Sequence, residues 1–143
     1  MKVLLKDLKT AISKVMEMMY FLLPDEEEVR DRTVYIGITG EPSYRIAFTF
    51  DPSLSQRMTM DLLNVEEPDI TTELTNQTLK ETANIIAGNL LHSFDSSENR
   101  NLTLPFTQRA DVFGDLGVVE QEEFSVFFEG QKMAITVETL KTK

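Results

Sequence analysis

From Leu8 the apolar positions Leu8, Ala11, Ile12, Val15, Met19, Leu22 and Leu23 recur at helical spacing, until Pro24 and the acidic residues 25–28 end them. That spacing predicts a first amphipathic helix. The period then changes. Residues 33–39 and 44–50 are β-branched and aromatic runs separated by Gly40, Glu41, Pro42 and Ser43, which predicts a hairpin. Asp51 or Ser53 could cap a shorter helix over 54–63, followed by an acidic connection at 66–69. A second long helix is expected from about Glu73 to Phe94. Beyond it, residues 101–108 read as extended, but Pro105 interrupts them and suits an edge or bulged strand. Residues 124–129 and 132–140 complete the pattern as two strands around a turn at Gly130 and Gln131. The sum is an α+β fold with a largely antiparallel sheet and two long helices packed on it. Each half offers a long helix followed by a strand pair, an order that hints at an internal duplication and is common among small α+β domains.

The second long helix divides into two unlike faces. At about 100° per residue, Leu79, Ala83, Ile86, Ala87, Leu90 and Phe94 form one stripe, which is core. The opposite face collects Gln77, Glu81, Asn84, Ile85, Gly88 and His92, with Glu81 and Asn84 about 60° apart and one turn from each other. A carboxylate and a carboxamide therefore point side by side toward solvent. Gly88 sits in mid-helix, where glycine costs roughly 1 kcal/mol relative to alanine. It either leaves a bare spot for another backbone or relieves helix packing. Ile85 is an aliphatic neighbour of the kind a docking partner covers. The plain alternative for Glu81 and Asn84 is two solvated residues on a wet face. His92, the single histidine, reads as ordinary surface, and Met16, Met18 and Met19 read as core filling, with Met18 to one side where it could join an interface.

Composition narrows the function classes. The 143 residues fit one domain covering 1–143. A formal charge of -10 argues against nucleic acid and anionic membrane surfaces as partners. The absence of cysteine excludes disulfides, thiolate catalysis and cysteine-ligated metals, and the lone histidine offers no second one for a metal site. No signal peptide and no apolar run of about 20 residues is visible, so a soluble, cytoplasmic protein is expected.

The run Glu81-Thr82-Ala83-Asn84-Ile85-Ile86-Ala87-Gly88-Asn89 resembles the signature helix of the CheC/CheX/FliY family of chemotaxis phosphatases, whose core motif is Glu-x-x-Asn. The element order, and Pro105 some twenty residues after the motif, resemble that family too, nearest to its small CheX-type members. Two departures stand out. Gln77 occupies a position where the family commonly has Asp or Ser, and the matching pair of the first helix is Glu17 and Tyr20, so that helix carries no Glu-x-x-Asn of its own.

The resemblance implies a phosphatase acting on the aspartyl phosphate of a CheY-like receiver domain. It assigns Asn84 to positioning the attacking water, Glu81 to pairing with the receiver's conserved lysine, and Gln77, Ile85 and Gly88 to partner contact. No cofactor is expected on this chain, since Mg²⁺ would sit on the phosphorylated partner. A homodimer joined at a sheet edge is implied as well. The alternative is a catalytically inactive CheX-like module that only captures a receiver or another signalling protein. A structural part of the flagellar switch fits less well, because FliY-type members add a further domain.

Overall fold

The computed structural model describes residues 2–19 and 31–142, without the side chains of Lys2 and Glu17. In chain order they form α1 (Lys2–Met19), β1 (Arg32–Ile38), β2 (Tyr44–Phe50), α2 (Pro52–Leu63), α3 (Thr72–Leu91), β3 (Val118–Phe128) and β4 (Gln131–Leu140). The strands make one antiparallel sheet in the order β1-β2-β4-β3. α1 and α2 both pack against α3, which lies over β1. This is the α+β arrangement the sequence predicts.

The register explains where the core sits. Val34 pairs with Phe48, Phe48 with Ile135, and Ile135 with Phe124, so one row of apolar side chains crosses all four strands on a single face. The neighbouring row places Ile36, Ile46 and Val137 side by side. The helices close over this face with Leu8, Ile12 and Val15 from α1, Met58 from α2, and Leu79, Ile86 and Leu90 from α3. Such rows need strict alternation, and that is why the hairpin was readable to within a residue.

Several boundaries differ from the sequence reading, each for a local reason. α1 starts six residues earlier than Leu8, because Leu4 lies one turn before Leu8 and is buried with it, although lysines surround it. The expected helix end at Pro24, the acidic residues 25–28 and Tyr20 lie outside the described residues. Asp51 precedes α2, yet its side chain makes no cap. Its carboxylate instead accepts from the Lys132 amide at 2.7 Å, tying the start of α2 to β4. Residues 101–108 form no continuous strand. They run along the outer edge of β1 through isolated bridges, Leu102 with Ile38 and Phe106 with Tyr35, which is the edge position Pro105 suggests.

β3 begins at Val118, six residues before the apolar alternation becomes visible at Phe124. An edge strand tolerates the acidic residues of this stretch because it remains exposed. The β3–β4 turn consists of Glu129 and Gly130, with φ of 52° and 85°, and Gln131 already pairs with Phe128. Two consecutive left-handed residues suit a two-residue hairpin, so the turn sits one residue earlier than the sequence suggested.

The outer face of the sheet is partly covered by the segment around 109–116. Phe113 lies so close to Gly37 that a Cβ there would clash with its ring. Arg45, on the same face, is 1% exposed and donates to Glu138 and to the carbonyls of Val112 and Gly114.

Candidate functional site

The candidate site is the outer face of α3. The helix is capped at its start by Thr71, whose hydroxyl accepts from the Leu74 amide at 3.1 Å. It ends at Leu91, and its tail is pinned where Phe94 stacks on Tyr44 at 6.2 Å between ring centroids. Phe94 therefore packs against the core from beyond the helix end. Arg100 lies over both rings, 4.7 Å from Phe94 and 5.3 Å from Tyr44, and also donates to the Pro42 carbonyl. At the other end Arg32 of β1 donates to Thr72 and Asn76, so both ends of the rod are fastened to the sheet.

Leu79, Ala83, Ile86, Ala87 and Leu90 are fully buried, as the helical spacing predicts. The core stripe is broader than its apolar residues suggest, because Thr75, Thr78 and Thr82 are buried too. Thr78 and Thr82 satisfy their hydroxyls on the carbonyls of Leu74 and Thr78 in the preceding turn, which makes each a nearly apolar surface. The burial of these threonines was not readable from hydrophobicity alone.

On the other side, Gln77, Glu81, Asn84 and His92 are exposed. Among the described residues, neither Glu81 nor Asn84 has a hydrogen-bond or ion-pair partner, so both side chains are available to another molecule. Ile85 is half-buried and packs partly on the core, so it borders this face instead of standing within it. Asn89 turns its amide back onto the Ile85 carbonyl at 3.0 Å and serves the helix. A Cβ at Gly88 would meet nothing within 4 Å. Helix packing therefore does not require glycine there, and the bare strip it leaves faces outward.

This arrangement gives a concrete expectation for Gly88→Ala. Alanine should stabilise the isolated protein by about 0.5–1 kcal/mol, through helix propensity with no clash. The same methyl should weaken any partner whose backbone occupies the strip. A thermal melt and a binding titration on the same variant read the two effects, and a destabilised Gly88→Ala would contradict the geometry.

Two cavities among the described residues flank the ends of α3. One of about 410 Å³ sits at the start of α3, lined by Arg32, Gln56, Glu67 and Thr72 among others. Another, of about 270 Å³, sits at its end beside Phe94 and Arg100. Among the described residues no group of three histidine, aspartate or glutamate side chains is placed to hold a metal ion, and no helix is long and apolar enough to cross a membrane. A protruding amide and carboxylate on a fastened helix can complete a site on another protein.

The chain overlays a CheX from Borrelia burgdorferi, crystallised as a CheX-CheY-BeF3-Mg²⁺ complex, with a TM-score of 0.69 at 18% identity over 96% of this chain and 97% of that one. It overlays the CheX of Desulfovibrio desulfuricans with a TM-score of 0.68 at 16% identity, over 96% and 99% of the two chains. The CheX of Vibrio vulnificus gives 0.66 at 18% identity, over 94% and 95%. No curated protein sequence matches. At these identities the structures establish a shared fold. The sequence pattern of the family described as chemotaxis phosphatase CheX matches residues 32–113, more than half of the chain and all of α3, and the chain belongs to that family.

Proposed function

We propose that the protein dephosphorylates the aspartyl phosphate of a CheY-like receiver domain, with Asn84 as the catalytic residue. The observation that carries this reading is the outward pair Glu81 and Asn84, unpartnered among the described residues, on a helix fixed at both ends. Hydrolysis of an acyl phosphate needs a water held in line with the bond to be broken. A carboxamide suits that task, because its oxygen accepts from the water and its NH₂ reaches a phosphoryl oxygen without adding charge. The receiver's own Mg²⁺ and lysine would neutralise the phosphoryl oxygens. Glu81 pairs with that lysine and sets the register in which Asn84 enters the partner's site. Gln77 and Ile85 flank the contact, and Gly88 lets the partner's backbone approach. No cofactor is needed on this chain, and the reaction belongs in the cytoplasm, where receivers signal. The Borrelia burgdorferi relative, seen with CheY, supports the partner class.

The test is phosphate release from a phosphorylated receiver with catalytic amounts of this protein. Acceleration that depends on Asn84, with Glu81→Ala weakening docking, supports the proposal. Stoichiometric binding with an unchanged phosphate lifetime would instead indicate an inactive module that only captures receivers.

The sheet also suggests how two copies would meet. Residues 102–106 bridge to the outer edge of β1, whereas β3 forms the other edge and exposes Val119 and Phe127 by 64% and 61%. Pairing of β3 with its counterpart would join two sheets into one and leave both α3 faces free. Light scattering at micromolar concentration should give twice the 16.3 kDa chain mass, and Val119→Lys should lower it. A monomeric mass for the unmodified protein would remove the homodimer.

A further inference from the structure

α1 lies alongside the α3 face and runs against it. Val3, Leu4 and Asp7 line the same cavity as Ser93, Phe94 and Tyr44, which places the start of α1 at the end of α3. Two residues past Asp7, Lys9 stands over the Phe124 ring at 4.9 Å. Phe124 shares its cross-strand row with Phe48, so α1 advances from the Tyr44 end of the sheet toward Phe50. α3 travels the other way, since Arg32, the partner of Phe50, donates to Thr72 and Asn76 near its start.

The antiparallel arrangement fixes which α1 residues stand beside the pair. At 1.5 Å per residue, Lys14 is about 10 Å beyond Asp7, level with residue 86 of α3, between Ile85 and Gly88. Met18 is about 16 Å beyond Asp7, level with residue 82, between Glu81 and Asn84. Around the α1 axis, Val3, Asp7, Lys14 and Met18 share an arc of about 60°, the arc that meets the end of α3. Lys14 is exposed and Met18 is 72% exposed. Packed helices stand roughly 8–10 Å apart, within reach of both side chains.

The geometry points to α1 as the second half of the receiver-docking surface, with Lys14 facing the acidic, phosphoryl-bearing rim of the receiver and Met18 covering its apolar surface beside Asn84. This rests on the phosphatase reading above. The chemistry favours that occupant. The outer face of α3 presents Glu81, with Lys80 at its margin one turn before Asn84, on a protein of net charge -10, yet it must approach an anionic acyl phosphate. A cation within one Debye length, about 8 Å at physiological ionic strength, offsets that local repulsion even though the whole molecule is acidic. Methionine adapts to an apolar partner surface and is enriched at interfaces.

The experiment measures phosphate release at varied receiver concentration and salt, together with binding to a receiver loaded with Mg²⁺ and beryllofluoride as a stable phosphoryl stand-in. At low salt Lys14→Glu should raise KM and Kd about tenfold, and Lys14→Gln about threefold, each with kcat within twofold and with the difference from the unmodified protein shrinking as salt rises. Met18→Ala should raise KM several-fold at every salt concentration. Lys6→Glu makes the same charge change about 80° around α1 and should leave KM unaltered. If the unmodified protein is active through Asn84 while the Lys14 and Met18 variants keep its KM and salt slope, the docking inference alone is overturned. If the unmodified protein neither speeds phosphate loss nor binds the loaded receiver, the phosphatase reading falls and takes this inference with it. An effect of Lys6→Glu equal to that of Lys14→Glu would also overturn it, as a matter of net charge only.

Discussion

Asn84→Ala is expected to lower kcat for receiver dephosphorylation by about 10²-fold or more while leaving the fold intact, because removing one preorganised hydrogen-bonding group from a transition state typically costs 10²–10³ in rate. The side chain is exposed and unpartnered among the described residues, so its loss should change stability by no more than about 0.5 kcal/mol. Asn84→Asp keeps the shape and replaces the NH₂ donor with a second anion beside the phosphoryl oxygens, and it should be at least as damaging. Glu81→Ala behaves differently. It removes a contact made equally before and during reaction, so KM should rise while kcat at saturation falls little. Single-turnover phosphate release and a thermal melt on the same preparations separate these outcomes. An Asn84→Ala protein that is folded and as fast as the unmodified one would end the assignment.

The parts of this molecule that were readable in the sequence are those where one periodicity governs both sides of an element. In the β1–β2 hairpin every second residue enters the core, so Val34, Ile36, Ile46, Phe48 and Phe50 announce both the strands and their register. On α3 the same holds for Leu79, Ala83, Ile86 and Leu90, and the polar side followed by subtraction. What escaped was burial by other chemistry. Thr78 and Thr82 are core residues because the helix backbone absorbs their hydroxyls, which no hydropathy pattern records. Residues 118–123 form a strand with an acidic sequence because an edge leaves them in water. The candidate pair itself was legible as a spacing on a helix, but its surroundings were not. That α1 runs antiparallel beside Asn84 depends on contacts such as Lys9 with Phe124, whose partners are more than a hundred residues apart.

Arg45→Met should cost about 3–5 kcal/mol, the range expected when one partner of a buried ion pair is removed. Arg45 is 1% exposed and its Nε donates to Glu138 at 2.6 Å, while Nη1 donates to the carbonyls of Val112 and Gly114 at 2.8 and 3.2 Å. Methionine fills much of the volume but removes the donor to those carbonyls and, among the described residues, leaves Glu138 with the half-exposed Arg109, at 3.0 Å. Replacing both members, as Arg45→Met with Glu138→Leu, removes the stranded charge and should recover much of the loss. The pair also sets a pH dependence. Burial pushes the Glu138 carboxyl upward, but hydrogen bonds from Arg109 and Arg45, with their charges, outweigh it and hold the group below its ordinary value of 4.5. The unfolded chain therefore binds this proton more readily than the folded one. The stabilisation from Glu138 is complete above about pH 4.5 and is lost as pH falls through the lower folded value. Thermal melts from pH 7 to pH 3 should show a steeper acid loss in the unmodified protein than in the double variant, and parallel curves would exclude this contribution. Because Arg45 lies on the sheet face away from the helices, phosphatase activity per folded molecule should be unchanged in both variants. That separates a defect in the scaffold from one in the outward face of α3.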